Sequence, residues 1–307
     1  MSRGRGRRGG AGGPSGRSRP SRTSRSGGTA RPARPARGAR TSPVAGRGRG
    51  GGGGSRTQRR GVGGDQVEGR QAVRELLLAG TRRVREVWML DERDDAPILR
   101  DIEELAAAAR VPVRRVGRGR FAAQARCEAP QGVLALAAPL PEADLDDLVA
   151  GRGARPGVPF LVALDGVTDP GNLGAVLRSA ECAGATGVLL PRHRAVHVTP
   201  AATKAAAGAV EHLPIAVVGG LPAALARMRG AGMHVVGLDG AAETSLYDLV
   251  GGEGPVCLVL GAEGRGLSRL VRERCDEVVA IPMVGRLGSL NVSAAAALAC
   301  FEIARRR

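Results

Sequence analysis

Residues 281–307 read IPMVGRLGSLNVSAAAALACFEIARRR. An apolar strand end, Val278 to Ile281, runs into a Gly-rich polar loop in which Ser289 and Asn291 flank Leu290. An alanine-rich helix follows at once, apolar on nearly all faces up to Cys300. A loop that ends at a helix N-terminus offers free backbone N–H groups and side-chain donors to a ligand. The same residues also fit a plainer role, a buried C-terminal helix capped by Asn291 or Ser293. Two earlier loops bear on that choice.

The first is DGVTDPGNLGAVLR, 165–178. A strand ends at Asp165, Asp169-Pro170-Gly171 is a turn signal, and Asn172 opens a helix in which Gly174 permits close approach of a partner or substrate. By itself Asn172 reads as an N-cap and Arg178 as a solvated charge. The second is LGAEGRGL, 260–267, with three glycines around Glu263. Its spacing is not GxGxxG, so it does not announce a dinucleotide site. Its glycines would let backbone groups reach a small ligand. Glu263 could anchor a loop amide, contact substrate, or simply sit near a helix start.

Around these loops the chain alternates helix and strand. Residues 65–138 read as a small α/β domain: a helix from Val67 to Leu78 stopped by Gly80, strands at 84–90, 111–116 and 132–137, and helices at 98–109 and 121–125. Residues 139–158 form a Pro- and Gly-rich linker with an acidic helix-like piece at 142–149. Residues 159–307 carry short apolar strands at 160–164, 188–190, 215–218, 234–238, 256–260 and 278–281, separated by helices that include 172–183, 267–274 and 292–305. Such strands predict a parallel sheet covered on both faces, with ligands beyond the C-terminal strand ends.

The charge is unevenly placed. The chain has 46 Lys+Arg, 29 Asp+Glu and a formal charge of +17, and 17 Arg with no acidic residue lie in residues 1–64. The body after that point is formally neutral. The Gly/Arg/Ser/Pro tail cannot bury enough apolar surface to offset chain entropy, so it is expected to be disordered and to attract phosphates. No apolar stretch is long enough to span a membrane. Five scattered cysteines show no CxxC spacing. Cys182, Cys257 and Cys300 read as small buried hydrophobes of a reducing cytoplasm. The four histidines form no ligand spacing with cysteines or acids, so no metal site is expected.

In order and at these intervals, the three loops resemble the motifs of SpoU/TrmH-like RNA ribose 2′-O-methyltransferases, within the SPOUT superfamily. Asn172-Leu-Gly174-Ala-Val-Leu-Arg178 matches N-x-G-x-x-x-R, and Gly261-Ala-Glu263-Gly264-Arg-Gly266 matches G-x-E-G-x-G. Ile281-Pro282-Met283 with Ser289 to Ser293 matches I-P-M followed by S-L-N-V-S. Residues 67–138 resemble the N-terminal RNA-binding domain, related to ribosomal protein L30e, of the branch that methylates guanosines of 23S rRNA. Two departures stand out: Pro130 precedes Gln131-Gly132 where the family often has His, and Ala206 replaces a Ser.

The resemblance implies an α/β trefoil-knot domain with a parallel sheet, preceded by an L30e-like domain, in a cytoplasmic homodimer paired through the knot helices. It implies S-adenosylmethionine as methyl donor and rRNA, free or in a ribosomal assembly intermediate, as partner. Gly261, Ile281 and Leu290 would contact the cofactor. Arg178 would act as base or as electrostatic stabiliser, with Asn172, Glu263, Ser289 and Asn291 organising the site. A tRNA ribose methyltransferase and a catalytically silent RNA-binding assembly factor are the competing expectations.

Overall fold

A computed structural model describes residues 62–307 except 93, 154 and 193–196. The Arg/Gly-rich tail up to residue 61 lies outside the described residues. The tail expected over residues 1–64 overlaps the described residues at 62–64. Val62 is buried, and the Val62 and Gly64 amides donate to Leu140 and Val198 carbonyls at 3.1 and 2.9 Å.

The first elements are β1 (Gln66–Glu68), α1 (Arg70–Ala79), β2 (Val84–Leu90), α2 (Pro97–Ala108), β3 (Val113–Val116), α3 (Arg118–Gln124) and β4 (Val133–Ala137). They build a four-stranded mixed sheet in the order β1-β4-β2-β3. In α1, Ala72, Val73, Leu76 and Leu77 recur one turn apart and pack on Val87, Ile102 and Ala135. Gly80 ends the helix in the left-handed region, as its position predicts. The opposite sheet face holds Trp88 and Phe121, with the Arg120 guanidinium 5.1 Å from the Trp88 ring centroid.

The helix expected from Val67 starts later. Gln66–Glu68 pairs antiparallel with 134–136, and Gly69 at φ 98° separates strand from helix. Gln66 and Glu68 are fully buried, and the Glu68 carboxylate accepts the Arg126 and Cys127 amides at 2.7 and 3.1 Å. Those partners lie almost sixty residues away, so no local pattern marks the strand.

There follow α4 (Leu145–Val149), β5 (Phe160–Asp165), α5 (Pro170–Cys182), β6 (Gly187–Pro191), α6 (Pro200–Ala205), β7 (Ile215–Val218) and α7 (Leu221–Gly230). The chain closes with β8 (His234–Leu238), β9 (Thr244–Ser245), β10 (Val256–Gly261), α8 (Arg269–Arg272), β11 (Glu277–Ala280) and α9 (Val292–Arg306). The seven strands run in the order β7-β6-β5-β10-β8-β11-β9. Every pairing in this sheet is parallel. Phe160, Val162 and Leu164 face one apolar cluster, and Leu161 and Ala163 the other. Both faces are covered, which is why these strands read as unbroken apolar runs.

From β5 the chain steps outward through β6 and β7, then crosses to β8, and β10 returns to fill the gap between β5 and β8. Strand order reverses there, so the loops after β5, β8, β10 and β11 gather at one end of the sheet. The predicted helix at 267–274 is shorter, four residues at Arg269–Arg272. The two-residue β9 has no sequence counterpart.

A buried ion pair joins the two sheets. Arg82 Nε and Nη2 donate to Glu211 Oε2 and Oε1 at 2.8 and 2.6 Å, with side chains 3% and 0% exposed. Arg82 also donates to the carbonyls of Gly64 and Ala138. One cysteine expectation fails. Cys257 and Cys300 are buried, but Cys182, at the last turn of α5, is exposed. Burial pushes the Cys300 thiol up to about 12.

Candidate functional site

The site begins at the start of α5. Asp169, not Asn172, is the N-cap: its carboxylate accepts the Asn172 amide at 2.7 Å, and Pro170 fills the first helical position. The Asn172 side chain is thereby left for another partner. Asn291 Nδ2 donates to Asn172 Oδ1 at 3.0 Å. Asn291 itself caps α9, its Oδ1 accepting the Ser293 amide at 2.8 Å and the Ser293 hydroxyl at 2.6 Å. The first and third loops therefore meet through two asparagines. Gly174 serves packing within the chain: a Cβ there would lie 2.4 Å from the Ala202 carbonyl oxygen and 2.5 Å from the Ala205 Cβ, so α6 is what approaches it.

The second loop folds back on itself. Ala262 and Gly266 exchange backbone hydrogen bonds at 3.1 and 3.0 Å. A Cβ on Gly261 would lie 2.3 Å from the Gly266 carbonyl carbon, so no side chain fits between the loop's two ends. Glu263 is exposed at its tip and makes no hydrogen bond or ion pair among the described residues. The loop's exit amides are held by two other carboxylates. Ser268 N donates to Asp165 Oδ2 at 2.7 Å and Leu267 N to Asp239 Oδ2 at 3.3 Å. Arg272 pairs with Asp239 at 2.9 Å.

The second and third loops, with the loop after β8, line an open cavity of about 340 Å³ within the size range of small-molecule sites. Gly261, Glu263, Ile281, Ser289 and Leu290 line it, together with Leu238, Asp239, Leu260 and Val292. Five of the eight residues expected from sequence thus share one cavity. Asn172 and Asn291 sit beside it, since Val292 is in its wall. Arg178 is not in the lining. It is exposed on α5 and has no hydrogen bond or ion pair among the described residues. Sequence reasoning missed Asp239, whose signal was an acid at a strand end followed by glycine, at Leu238-Asp239-Gly240. A second cavity of about 340 Å³, near α4 and β7, contains none of the motif residues.

The walls suit a ligand recognised mainly by backbone groups and apolar packing. Leu238, Leu260, Ile281 and Leu290 supply apolar surface, and the glycines bring main-chain polar groups close.

Residues 159–301 match the SpoU rRNA Methylase family, and residues 66–143 match the family described as RNA 2′-O ribose methyltransferase substrate binding. The chain is 40% identical over 248 residues to the 23S rRNA (guanosine-2′-O-)-methyltransferase RlmB of Pseudomonas syringae, covering 79% of this chain and 96% of the relative. It is 37% identical over 243 residues to the putative TrmH family tRNA/rRNA methyltransferase YacO of Bacillus subtilis, covering 79% and 96%. The SpoU methyltransferase AviRb of Streptomyces viridochromogenes, solved in complex with the cofactor AdoMet, superposes with a TM-score of 0.64 at 26% identity, over 78% of this chain and 89% of that one.

Proposed function

This chain belongs to the SpoU rRNA methylase family, and on that premise we propose that it transfers a methyl group from S-adenosylmethionine to a guanosine ribose 2′-hydroxyl in 23S rRNA. It is an RNA 2′-O-methyltransferase. The observation that carries this reading is the cavity, at the C-terminal end of a parallel sheet, whose walls include the G-x-E-G-x-G loop and the loop that holds Ser289 and Leu290.

The cavity's residues fit the cofactor. Backbone groups of the Gly261 loop would take its polar edges, and Ile281 and Leu290 its apolar faces. The cofactor supplies an electrophilic methyl group on a cationic sulfonium. The chain's task is to bring a poorly nucleophilic hydroxyl to that methyl in line and to stabilise the oxyanion that develops. Arg178 has the charge for this and no competing partner among the described residues. A guanidinium is a poor proton acceptor, so the role proposed for Arg178 is to stabilise developing negative charge on the ribose oxygen. Ser289 and Glu263, in the cavity wall, would face the nucleotide, and the Asn172–Asn291 contact would fix the two loops around it.

The mixed sheet at 66–137 is read as the RNA-binding domain, and the partner as rRNA or a ribosomal assembly intermediate. A homodimer is proposed, and an exposed apolar stripe on α9 supports it. Leu298 and Phe301 are 43% and 52% exposed, and Tyr247 beside them is 50% exposed. A second copy would cover this apolar stripe. Among the described residues no helix is long and apolar enough to cross a membrane, and the proposed location is the cytoplasm, on the strength of the rRNA substrate that the relatives' names give.

The test is methyl incorporation from labelled S-adenosylmethionine into 23S rRNA, with mapping of the modified ribose. Incorporation into tRNA alone would replace the substrate assignment. Cofactor binding with no incorporation into any RNA would favour the silent assembly factor. Light scattering of the purified protein checks the dimer, and a monomer at micromolar concentration would sink it.

A further inference from the structure

We infer that Asp165 and Asp239 are positioning residues that clamp the Gly261–Gly266 loop in the geometry that receives the cofactor. The inference rests on the reading of this cavity as the S-adenosylmethionine site. Strand β10 lies between β5 and β8 in the sheet, and the loop leaves its end. Each neighbouring strand delivers one carboxylate to the place where the loop returns: Asp165 is the last residue of β5, and Asp239 directly follows β8. They take consecutive amides, Ser268 at 2.7 Å and Leu267 at 3.3 Å. The exit of the loop is thus held from both sides at once.

Asp239 does more. Its Oδ1 accepts the Ala241 amide at 3.0 Å, which fixes a second wall of the cavity, and its side chain is only 11% exposed. Gly266, at φ 63°, rests against it: a Cβ there would lie 2.8 Å from Asp239 Oδ2. One carboxylate therefore registers the loop after β8 against the loop after β10.

The need for a clamp follows from composition. Three of the six residues from Gly261 to Gly266 are glycine, so the loop has little conformational preference of its own. A loop free to wander would have to be ordered by the cofactor, and that ordering would be subtracted from affinity. Charge-assisted hydrogen bonds from fixed strand ends order it beforehand. The clamp acts on cofactor affinity, and the chemical step is untouched once the site is full.

The test uses full-length Asp165→Asn, Asp239→Asn and Arg272→Met. Asparagine keeps one acceptor oxygen and removes the charge. Calorimetric titration should show the S-adenosylmethionine Kd raised about tenfold in each Asn variant, the loss expected of one charge-assisted hydrogen bond. At saturating cofactor the kcat and the KM for RNA of Asp165→Asn, whose carboxylate lies outside the cavity lining, should stay near wild type. Arg272 is 41% exposed, so Arg272→Met should change Kd about threefold or less. In cofactor-free protein, the Leu267 and Ser268 amides should exchange hydrogen faster in the Asn variants and not in Arg272→Met. Unchanged Kd and unchanged exchange in both Asn variants would overturn the clamp. So would an equal loss of cofactor affinity, RNA affinity and melting temperature, which is the mark of general damage. Wild-type protein that fails to bind S-adenosylmethionine would instead overturn the cavity's assignment, while the exchange measurement still reads the clamp.

Discussion

Asn291 Nδ2 donates a hydrogen bond to Asn172 Oδ1 across 3.0 Å, joining residues 119 positions apart. Asn291 also caps α9, whereas Asn172 has been relieved of capping α5 by Asp169. The two asparagines should therefore respond differently to truncation. Asn291→Ala loses a cap and a side-chain contact and should destabilise the fold by about 1–2 kcal/mol. Asn172→Ala loses only the contact and should cost about 1 kcal/mol or less. Both should lower methyl transfer. Denaturant melts and rRNA methylation assays check this, and full activity in Asn172→Ala would remove the pair from the site.

Arg178→Ala should reduce methyl transfer by about 10²–10³-fold, the usual loss when a stabiliser of developing negative charge is removed. Because Arg178 is exposed and outside the cavity lining, cofactor affinity should stay near wild type. Single-turnover methylation beside calorimetric cofactor binding separates the two, and wild-type transfer in the variant would defeat the assignment.

The Arg82–Glu211 pair is buried and holds the two sheets together. Glu211→Ala would strand the Arg82 guanidinium in the interior and should destabilise by about 3–5 kcal/mol. Replacing both with apolar residues of similar volume should recover much of that loss, because no unpaired charge remains. Chemical denaturation of the single and double variants measures the difference.

Glu302 gives the stability a pH dependence. Hydrogen bonds from Arg305, and then from Arg306, hold its carboxyl down to about 2, against an ordinary value of 4.5. The folded value lies below the unfolded one, so this contribution is present in full above about pH 5 and fades as pH falls from 4.5 towards 2. Glu302→Gln should flatten that part of the stability profile, which thermal melts between pH 2 and 6 would show.

Deleting residues 1–61 should leave cofactor affinity unchanged, since every residue lining the cavity lies between 238 and 295. With the positive excess confined to the tail, RNA affinity at low salt should fall and its salt dependence become shallower. An unchanged salt slope would show that the arginines do not contact phosphate.

The strands at 84–90, 215–218 and 234–238 were legible to the residue, because short runs rich in apolar, β-branched residues between breakers are local signals. The strand at 66–68 was not, because its two polar residues are satisfied by partners far along the chain. Cys182 was misjudged because its apolar neighbours describe the helix, while its own angular position at the last turn of α5 turns it outward.

By itself, the sequence determined most of the elements, the three motif loops and the family they resemble, since each depends on residues close together in the chain. The tertiary structure alone decided that β10 lies between β5 and β8, that Asp165 and Asp239 converge on one loop, and that Asn172 meets Asn291. Those relations depend on strand order, which is set by long-range packing of two covered faces. No local spacing of residues encodes it.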